Sequence, residues 1–249
     1  MDPIAFTLFG ISIRWYGILI SLGMILAMVV VIKRANSYGI DPNKVLDIII
    51  VAIPAGVIGA RLYYVLFNWD FYQGDLYKII NIRGGGLAIH GGLIFGILAA
   101  VLLCLLWRIR ILPALDLGMP GVAIAQAVGR WGNYFNKEAY GTPTDLPWAI
   151  IIEGQRVHPT FLYESLWNLG VFLFLIWFEK RKKYDGQVFL LYVMLYSFAR
   201  FFIEGLRIDS LMFGPIRVAQ GISAIAFIVS LIILALNRKS HRNMIFRRH

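Results

Sequence analysis

GRWGNYFNKEAYG, Gly129–Gly141, ends an apolar segment long enough to enter a bilayer, and it ends it with an arginine, two asparagines and a glutamate. An unpaired arginine at the centre of a membrane helix costs about 2.5–3.5 kcal/mol on insertion scales. Chains carry such a residue where it pairs internally, lines a wet cavity or handles a charged ligand. Arg130 has company, because Arg61, Arg200 and Glu204 also fall in apolar segments. Together they read as a polar chamber inside a membrane protein.

Composition agrees. The 249 residues are 59% hydrophobic and 15% charged, with a mean hydropathy of +0.71, where ordinary soluble domains are about 25% charged. That length suits one polytopic membrane domain covering 1–249. The net charge of +10 lies between apolar segments, so it reads as topology signal and contact with anionic lipid heads, not as a nucleic-acid surface. Cys104 is the lone cysteine, which excludes an intrachain disulfide and a cysteine metal cluster. The four histidines lack metal-ligand spacing, so neither metal nor cofactor is expected. The N-terminal MDPIAFTLFG has no basic region and does not read as a cleaved signal peptide.

About 20 apolar residues cross a bilayer as a helix. The pattern predicts an all-α integral membrane fold with seven spans, near 15–32, 45–67, 87–107, 115–134, 160–178, 187–205 and 216–236. The fourth is the weakest, carrying Pro120, Gln126 and Arg130. More than half of the basic residues fall after spans 1, 3 and 5 and in the C-terminal tail, among them Lys33, Lys44, Arg108, Arg110, Lys180–Lys183 and Arg238. That bias assigns those connections to the cytoplasm, the N-terminus to the outside and the C-terminus to the inside. The segment 135–159, with Pro143, Pro147 and Trp148, is then a small extracytoplasmic lid between helices 4 and 5.

With directions assigned, polar residues from all seven spans share one depth. Tyr16 opens span 1, Arg61 lies near the exit of span 2, and His90 opens span 3. Arg130 and Asn133 close span 4, Glu164 opens span 5, Arg200 and Glu204 close span 6, and Arg217 and Gln220 open span 7. Tyr196, Arg200, Glu204 and Arg207 form one helical stripe; Arg130, Asn133 and Asn136 form another, and Glu164 and Asn168 a third. An intrahelical Arg200–Glu204 salt bridge and asparagines acting as packing glue explain any single pair equally well. They do not explain seven segments agreeing on depth. In GGGLAIHGG, Gly84–Gly92, the glycines read first as close helix packing, while His90 reads as functional because a polar ring is expensive at that depth. Ala52, Gly56 and Ala60 make a packing face, Asp47 and Asp116 read as helix caps, and Cys104 as inert core.

A cationic pocket open to the outer leaflet suits a phosphate-bearing amphiphile, such as an anionic phospholipid held by arginines. Transport of an anionic solute also explains intramembrane arginines, although midplane sites and internal repeats are usual there. A cytidine-diphosphate-alcohol phosphatidyltransferase is a third reading, and its D-G-x-x-A-R motif has no counterpart in this chain.

GRWGNYFNKEAYG resembles the signature of bacterial prolipoprotein diacylglyceryl transferases, G-R-x-G-N-[FY]-x-N-x-E. RWYG at Arg14–Gly17, HGGL at His90–Leu93, HPTFLYE at His158–Glu164, YSFARFFIEGLR at Tyr196–Arg207 and RVAQ at Arg217–Gln220 continue the likeness in order. Lys137 stands where family members often have glycine, and Tyr134 where they often have phenylalanine. The resemblance implies a multi-pass enzyme of the bacterial plasma membrane, working as a monomer in the lipid bilayer with no nucleic acid involved. It would transfer the diacylglyceryl group of phosphatidylglycerol to the lipobox cysteine thiol in a prolipoprotein signal peptide, forming a thioether and releasing glycerol phosphate. His90, Arg130 and Arg200 are its implied catalytic residues: His90 as the base and the arginines on the departing phosphate. Tyr16, Asn133, Asn136, Glu138, Gly141, Glu164, Tyr196, Glu204 and Arg207 are its implied substrate-binding residues. An arginine-lined site lowering the thiol pKa stands as the alternative to His90.

Overall fold

A computed structural model describes residues 2–82 and 85–246. Gly84 of the glycine run and Arg247, Arg248 and His249 of the tail lie outside the described residues. A hairpin of β1 (Ile4–Leu8) and β2 (Ile11–Arg14) leads into α1 (Trp15–Arg34), and a 3-10 turn at Ala35–Tyr38 leads to α2 (Pro42–Phe67). Two short helices, α3 (Trp69–Tyr72) and α4 (Leu76–Ile80), precede α5 (Ile89–Leu106) and α6 (Ile111–Asn136). A hairpin of β3 (Ile150–Ile152) and β4 (Gln155–Val157) comes before α7 (Thr160–Glu179) and α8 (Gln187–Leu206). A last hairpin, β5 (Met212–Phe213) and β6 (Ile216–Arg217), opens α9 (Val218–Phe246).

Seven of these helices are long and apolar enough to cross a membrane: α1, α2, α5, α6, α7, α8 and α9. Their outward faces carry Ile58, Leu66, Leu98, Leu102 and Ile225, all more than half exposed, while Glu164, Asn168 and Glu204 are buried. Apolar surface on that scale has no place against water and suits lipid. The weak fourth span is helical straight through Pro120, as membrane helices tolerate when neighbours satisfy the freed carbonyl. The three antiparallel hairpins add strand structure to what the apolar pattern predicts as all-helical. Each is too short for an apolar period to reveal it.

Two caps differ from expectation. Asp41, not Asp47, caps α2, its Oδ1 accepting the Asn43 N–H at 2.9 Å. Asp116 lies inside α6 and caps a different helix: its carboxylate accepts the N–H groups of Gly186 (2.8 Å) and Phe189 (2.9 Å) at the start of α8, with Lys182 Nζ 3.2 Å away. An anion at a helix N-terminus is favourable through the unpaired N–H groups there, and in sequence Asp116 and α8 are far apart.

By contact the chain divides into two compact units, Ile32–Ala114 and the combination of Met1–Val31 with Leu115–His249; the divisions fall within α1 and α6. In the first unit α2 and α5 run antiparallel, with Gly56 facing Gly92 and Ala52 facing Gly96. A side chain at Gly56 would meet the Gly92 carbonyl at 3.2 Å. The small residues of both segments are therefore a helix-packing seam. In the second unit α1 packs antiparallel to α6, since a side chain at Gly23 would meet Ala125 O at 2.9 Å and one at Gly132 would meet the Tyr16 ring at 2.7 Å. Ala123, Val171, Leu175, Val188 and Tyr192, from α6, α7 and α8, form its buried apolar core.

Candidate active site

In the second unit the helix ends converge on one carboxylate. Glu164, in the first turns of α7, is 5% exposed. Its Oε2 lies 2.5 Å from Arg130 Nε of α6, and its Oε1 lies 2.8 Å from Arg200 Nη1 of α8 and 3.8 Å from Arg207 Nη1. Arg200 reaches a second buried acid one turn along, with Nη2 2.6 Å from Glu204 Oε2. The Arg200–Glu204 salt bridge is thus real, yet it is one edge of a network drawn from three helices. Glu164 Oε2 and Glu204 Oε2 lie within ion-pair distance of guanidinium groups but accept no aligned hydrogen bond among the described residues. Buried carboxylates in that condition are electrostatically held and under-satisfied as acceptors.

The two arginines that point at phosphate in the sequence are held differently. Arg200 is clamped at both terminal nitrogens, one by Glu164 and one by Glu204. Arg130 meets Glu164 through Nε alone, and its two terminal amino groups have no acceptor among the described residues. A planar fork with free donors is what a phosphate oxygen pair requires. Four arginines, Arg130, Arg200, Arg207 and Arg217, share the neighbourhood with three carboxylates, Glu164, Glu204 and Asp209. Among the described residues joined by these contacts, the arginines outnumber the carboxylates.

Neighbouring chain keeps these side chains in place. Arg217, at the end of β6, donates through Nη1 to the carbonyls of Glu204 (2.9 Å) and Gly205, so the start of α9 ties down the end of α8. Gln220 Nε2 donates to Phe201 O at 2.9 Å. Arg207, past the last turn of α8, makes a two-pronged bond to Asp209, 2.9 and 2.8 Å. Burial pulls the Arg207 guanidinium down, but the hydrogen bond to Asp209 and the charges of Asp209, Glu164 and Glu204 outweigh it, and the net direction is up. The Arg207 hydrogen bond in turn holds the Asp209 carboxyl below the usual carboxylate range, against the opposing effect of burial.

The end of the Gly129–Gly141 stretch is a folded cap over this cluster's backbone. Asn133 O accepts the Glu138 N–H at 3.0 Å, and Asn136 Nδ2 donates to Glu138 Oε1 at 3.4 Å. Lys137 sits at φ +53°, the left-handed region where glycine is at ease. Gly141 N donates to His158 O at 3.0 Å, Thr142 N donates to Leu206 O at 2.8 Å, and Thr160 Oγ1 donates to Ala139 O. An added Cβ at Gly141 would meet the His158 Cβ at 2.6 Å and Leu206 O at 3.1 Å, so the close approach of three segments demands glycine there.

Tyr16 lies across Gly132 at the start of α1, and Tyr196 stacks on Tyr192 one turn below Arg200. A small cavity beside Glu164 is lined by Asn168, Tyr196 and Arg200, and the buried Asn168 Oδ1 has no hydrogen-bond partner among the described residues. The structure therefore gathers Arg130, Glu164, Arg200, Glu204 and Arg207 into one network, with Asn133, Asn136, Glu138 and Gly141 in the adjoining cap. His90 belongs to the other unit, in the first turn of α5, exposed, its ring beside Tyr63 with centroids 6.2 Å apart. Sequence reasoning passed over Asp209; its only signal was an acid two residues beyond a stripe arginine. Among the described residues no three histidine, cysteine or acidic side chains gather as metal ligands would.

A model of the prolipoprotein diacylglyceryl transferase family matches residues 3–236. The phosphatidylglycerol–prolipoprotein diacylglyceryl transferase of Clostridioides difficile strain 630 is 54% identical over 245 residues, covering 98% of this chain and 99% of that one. The protein of the same name from Finegoldia magna is 52% identical over 96% of each chain. That from Thermosynechococcus vestitus is 43% identical over 87% of this chain and 85% of its own.

Proposed function

We propose, from the premise that this chain belongs to the prolipoprotein diacylglyceryl transferase family, that it moves the diacylglyceryl group of phosphatidylglycerol onto a prolipoprotein in the bacterial plasma membrane. The acceptor is the lipobox cysteine thiol of the signal peptide. Its sulfur attacks the glyceryl carbon, the carbon–oxygen bond to phosphate breaks, and that electron pair leaves with glycerol phosphate. The thiol proton passes to a base.

One observation carries the reading: Arg130 is oriented by Glu164 through Nε while its amino groups meet no acceptor among the described residues. Those groups receive the phosphodiester, and they hold its growing charge as the ester bond breaks. Preorganised donors aimed at developing charge typically contribute the largest share of a rate enhancement. Arg200, fixed between Glu164 and Glu204, shares the Glu164 carboxylate with Arg130 and adds positive field. Glu138, Asn133, Asn136 and Tyr16 line the approach for the glycerol head and the peptide, with Tyr196 and Arg207 on the α8 side. His90 takes the thiol proton. Its ring makes no hydrogen bond among the described residues, so a nitrogen is open to accept one. Cys104 is buried within α5, flanked in sequence by leucines, and takes no part in the transfer. The chain is oriented with its N-terminus and the 135–159 segment outside, in keeping with the lysine and arginine bias, and it acts as a monomer.

The deciding experiment places purified protein in phosphatidylglycerol vesicles with a lipobox peptide and reads the peptide mass. The expected product carries one diacylglyceryl group on sulfur, and a peptide with serine in place of the cysteine gains nothing. An unmodified cysteine peptide after prolonged incubation overturns the proposal.

A further inference from the structure

A cavity of about 380 Å³ lies wholly within the Ile32–Ala114 unit, between the 3-10 turn that precedes α2 and the connection from α5 to α6. None of the residues assigned above to the transfer reaction lines it. Its walls carry Lys44, Arg108 and Arg110 against one carboxylate, Asp41, with Tyr38 and Trp107 as aromatic surface. Asp41 already accepts the Asn43 N–H as the α2 cap. Lys44 and Arg108 have no carboxylate partner among the described residues. The backbone adds a second sign of specialisation. Arg108 holds φ +55°, an uncommon conformation for a side-chain-bearing residue, secured by Arg108 N donating to Leu105 O (3.1 Å) and Ile109 N donating to Cys104 O (2.7 Å). That turn sets an arginine into the cavity wall where a relaxed helix end would not.

Ligand cavities run from about 300 Å³ upward, so the space suits a small charged group and not an acyl chain pair. Basic cavities between membrane helices on the cytoplasmic side hold anionic head groups, and both connections that build this one carry the basic excess assigned to that side. We propose that this cavity is a second, non-catalytic site that binds a phosphate ester, with Lys44, Arg108 and Arg110 as its cationic cradle. The phosphate chemistry is shared by two sources, the headgroup of an anionic lipid in the adjoining leaflet and a soluble phosphate.

Amine acylation read residue by residue separates them. The full chain is placed in discs of phosphatidylcholine, and labelling of Lys44 is compared with that of Lys180 and Lys183, which lie on another connection with the same basic bias. Phosphatidic acid in the disc is expected to slow Lys44 labelling by about fivefold or more, the effect of one basic contact near an anionic surface, while Lys180 and Lys183 change little. Equal protection from millimolar inorganic phosphate in pure phosphatidylcholine supports the site with a soluble source. Equal slowing at all three lysines means general charge screening and overturns the proposal. So does unprotected Lys44 with both probes. Arg108→Gln combined with Arg110→Gln should abolish the protection, and full protection in that variant overturns the cradle.

Discussion

Arg61 and Arg130 are both intramembrane arginines, and the molecule buries them in opposite ways. Arg61, 7% exposed, donates from Nε to Ile79 O (2.9 Å), from Nη1 to Gly85 O (2.7 Å) and Gly86 O (2.9 Å), and from Nη2 to Lys78 O (2.5 Å). Its guanidinium also lies 5.0 Å from the Tyr72 ring centroid. Every nitrogen is engaged by backbone of the same unit, and the result is a knot that ties α4 and the segment leading to α5 onto α2. Arg130 has one nitrogen on a carboxylate and two without acceptors among the described residues. The first is spent on structure; the second keeps the donors that the proposed transfer uses. Hydrophobic context marks both as unusual, but only the identity of their acceptors separates scaffold from site.

That contrast breaks most directly at Arg130. Arg130→Lys keeps the charge beside Glu164 and removes the fork, so turnover should fall by about 10² or more while heat stability in detergent barely moves. A lysine variant with near-normal turnover would return Arg130 to the structural class. His90→Gln should cut turnover by about 10²-fold and alter the shape of the pH–rate profile, as expected on losing a general base. Being exposed, it should leave stability alone. A small loss with an unchanged profile favours the thiol activated by arginines instead.

Arg61→Lys should do the reverse of Arg130→Lys. A lysine cannot reach four carbonyls set around a planar group, and leaving buried acceptors bare costs about 1–3 kcal/mol each. Folded yield and thermal stability should drop, while turnover per folded molecule stays close to normal. Lost turnover at full stability would mean that Arg61 also serves the reaction. Gly141→Ala forces a methyl against His158 and Leu206, an overpacking that typically costs about 1–3 kcal/mol, read as a lowered melting temperature with a parallel fall in turnover. Unaltered behaviour would show that the 139–144 stitching yields easily.

The smallest effect belongs to the Arg207–Asp209 pair. The folded carboxyl is lowered, so its contribution is present above the ordinary carboxylate value of about 3.9 and is lost only as pH falls through the lowered one. Asp209→Asn should therefore give a modest stability loss that is constant between roughly pH 5 and 8. A loss that grows or shrinks across that window would contradict the pairing.

Much of the candidate site is legible along the chain because helical spacing is local. The Arg200–Glu204–Arg207 stripe is one face of α8, and Arg130 with Asn133 and Asn136 is one face of α6, so both follow from the period of the helix. Asp116 shows the opposite: it reads as a helix cap and is one, but it lies on α6 while the helix it caps is α8, and nothing local announces a partner from another helix. The chamber reading grouped Arg61 with Arg200, since both are arginines in apolar runs, and the carbonyls that hold Arg61 come from a connection with no periodic signal.

The linear order of residues, taken alone, determined a mostly helical chain of seven membrane-length segments and membership of its family, because hydropathy and a thirteen-residue motif are written without reference to space. It also named the arginines worth asking about. Tertiary structure decided which acceptor each arginine meets, that Glu164 is the hub while Arg200 is its clamped neighbour, and that Gly141 is a contact point between three segments. Hydrogen bonds and ion pairs depend on atoms within about 3 Å, and chain segments far apart in order reach that distance only after the helices have packed.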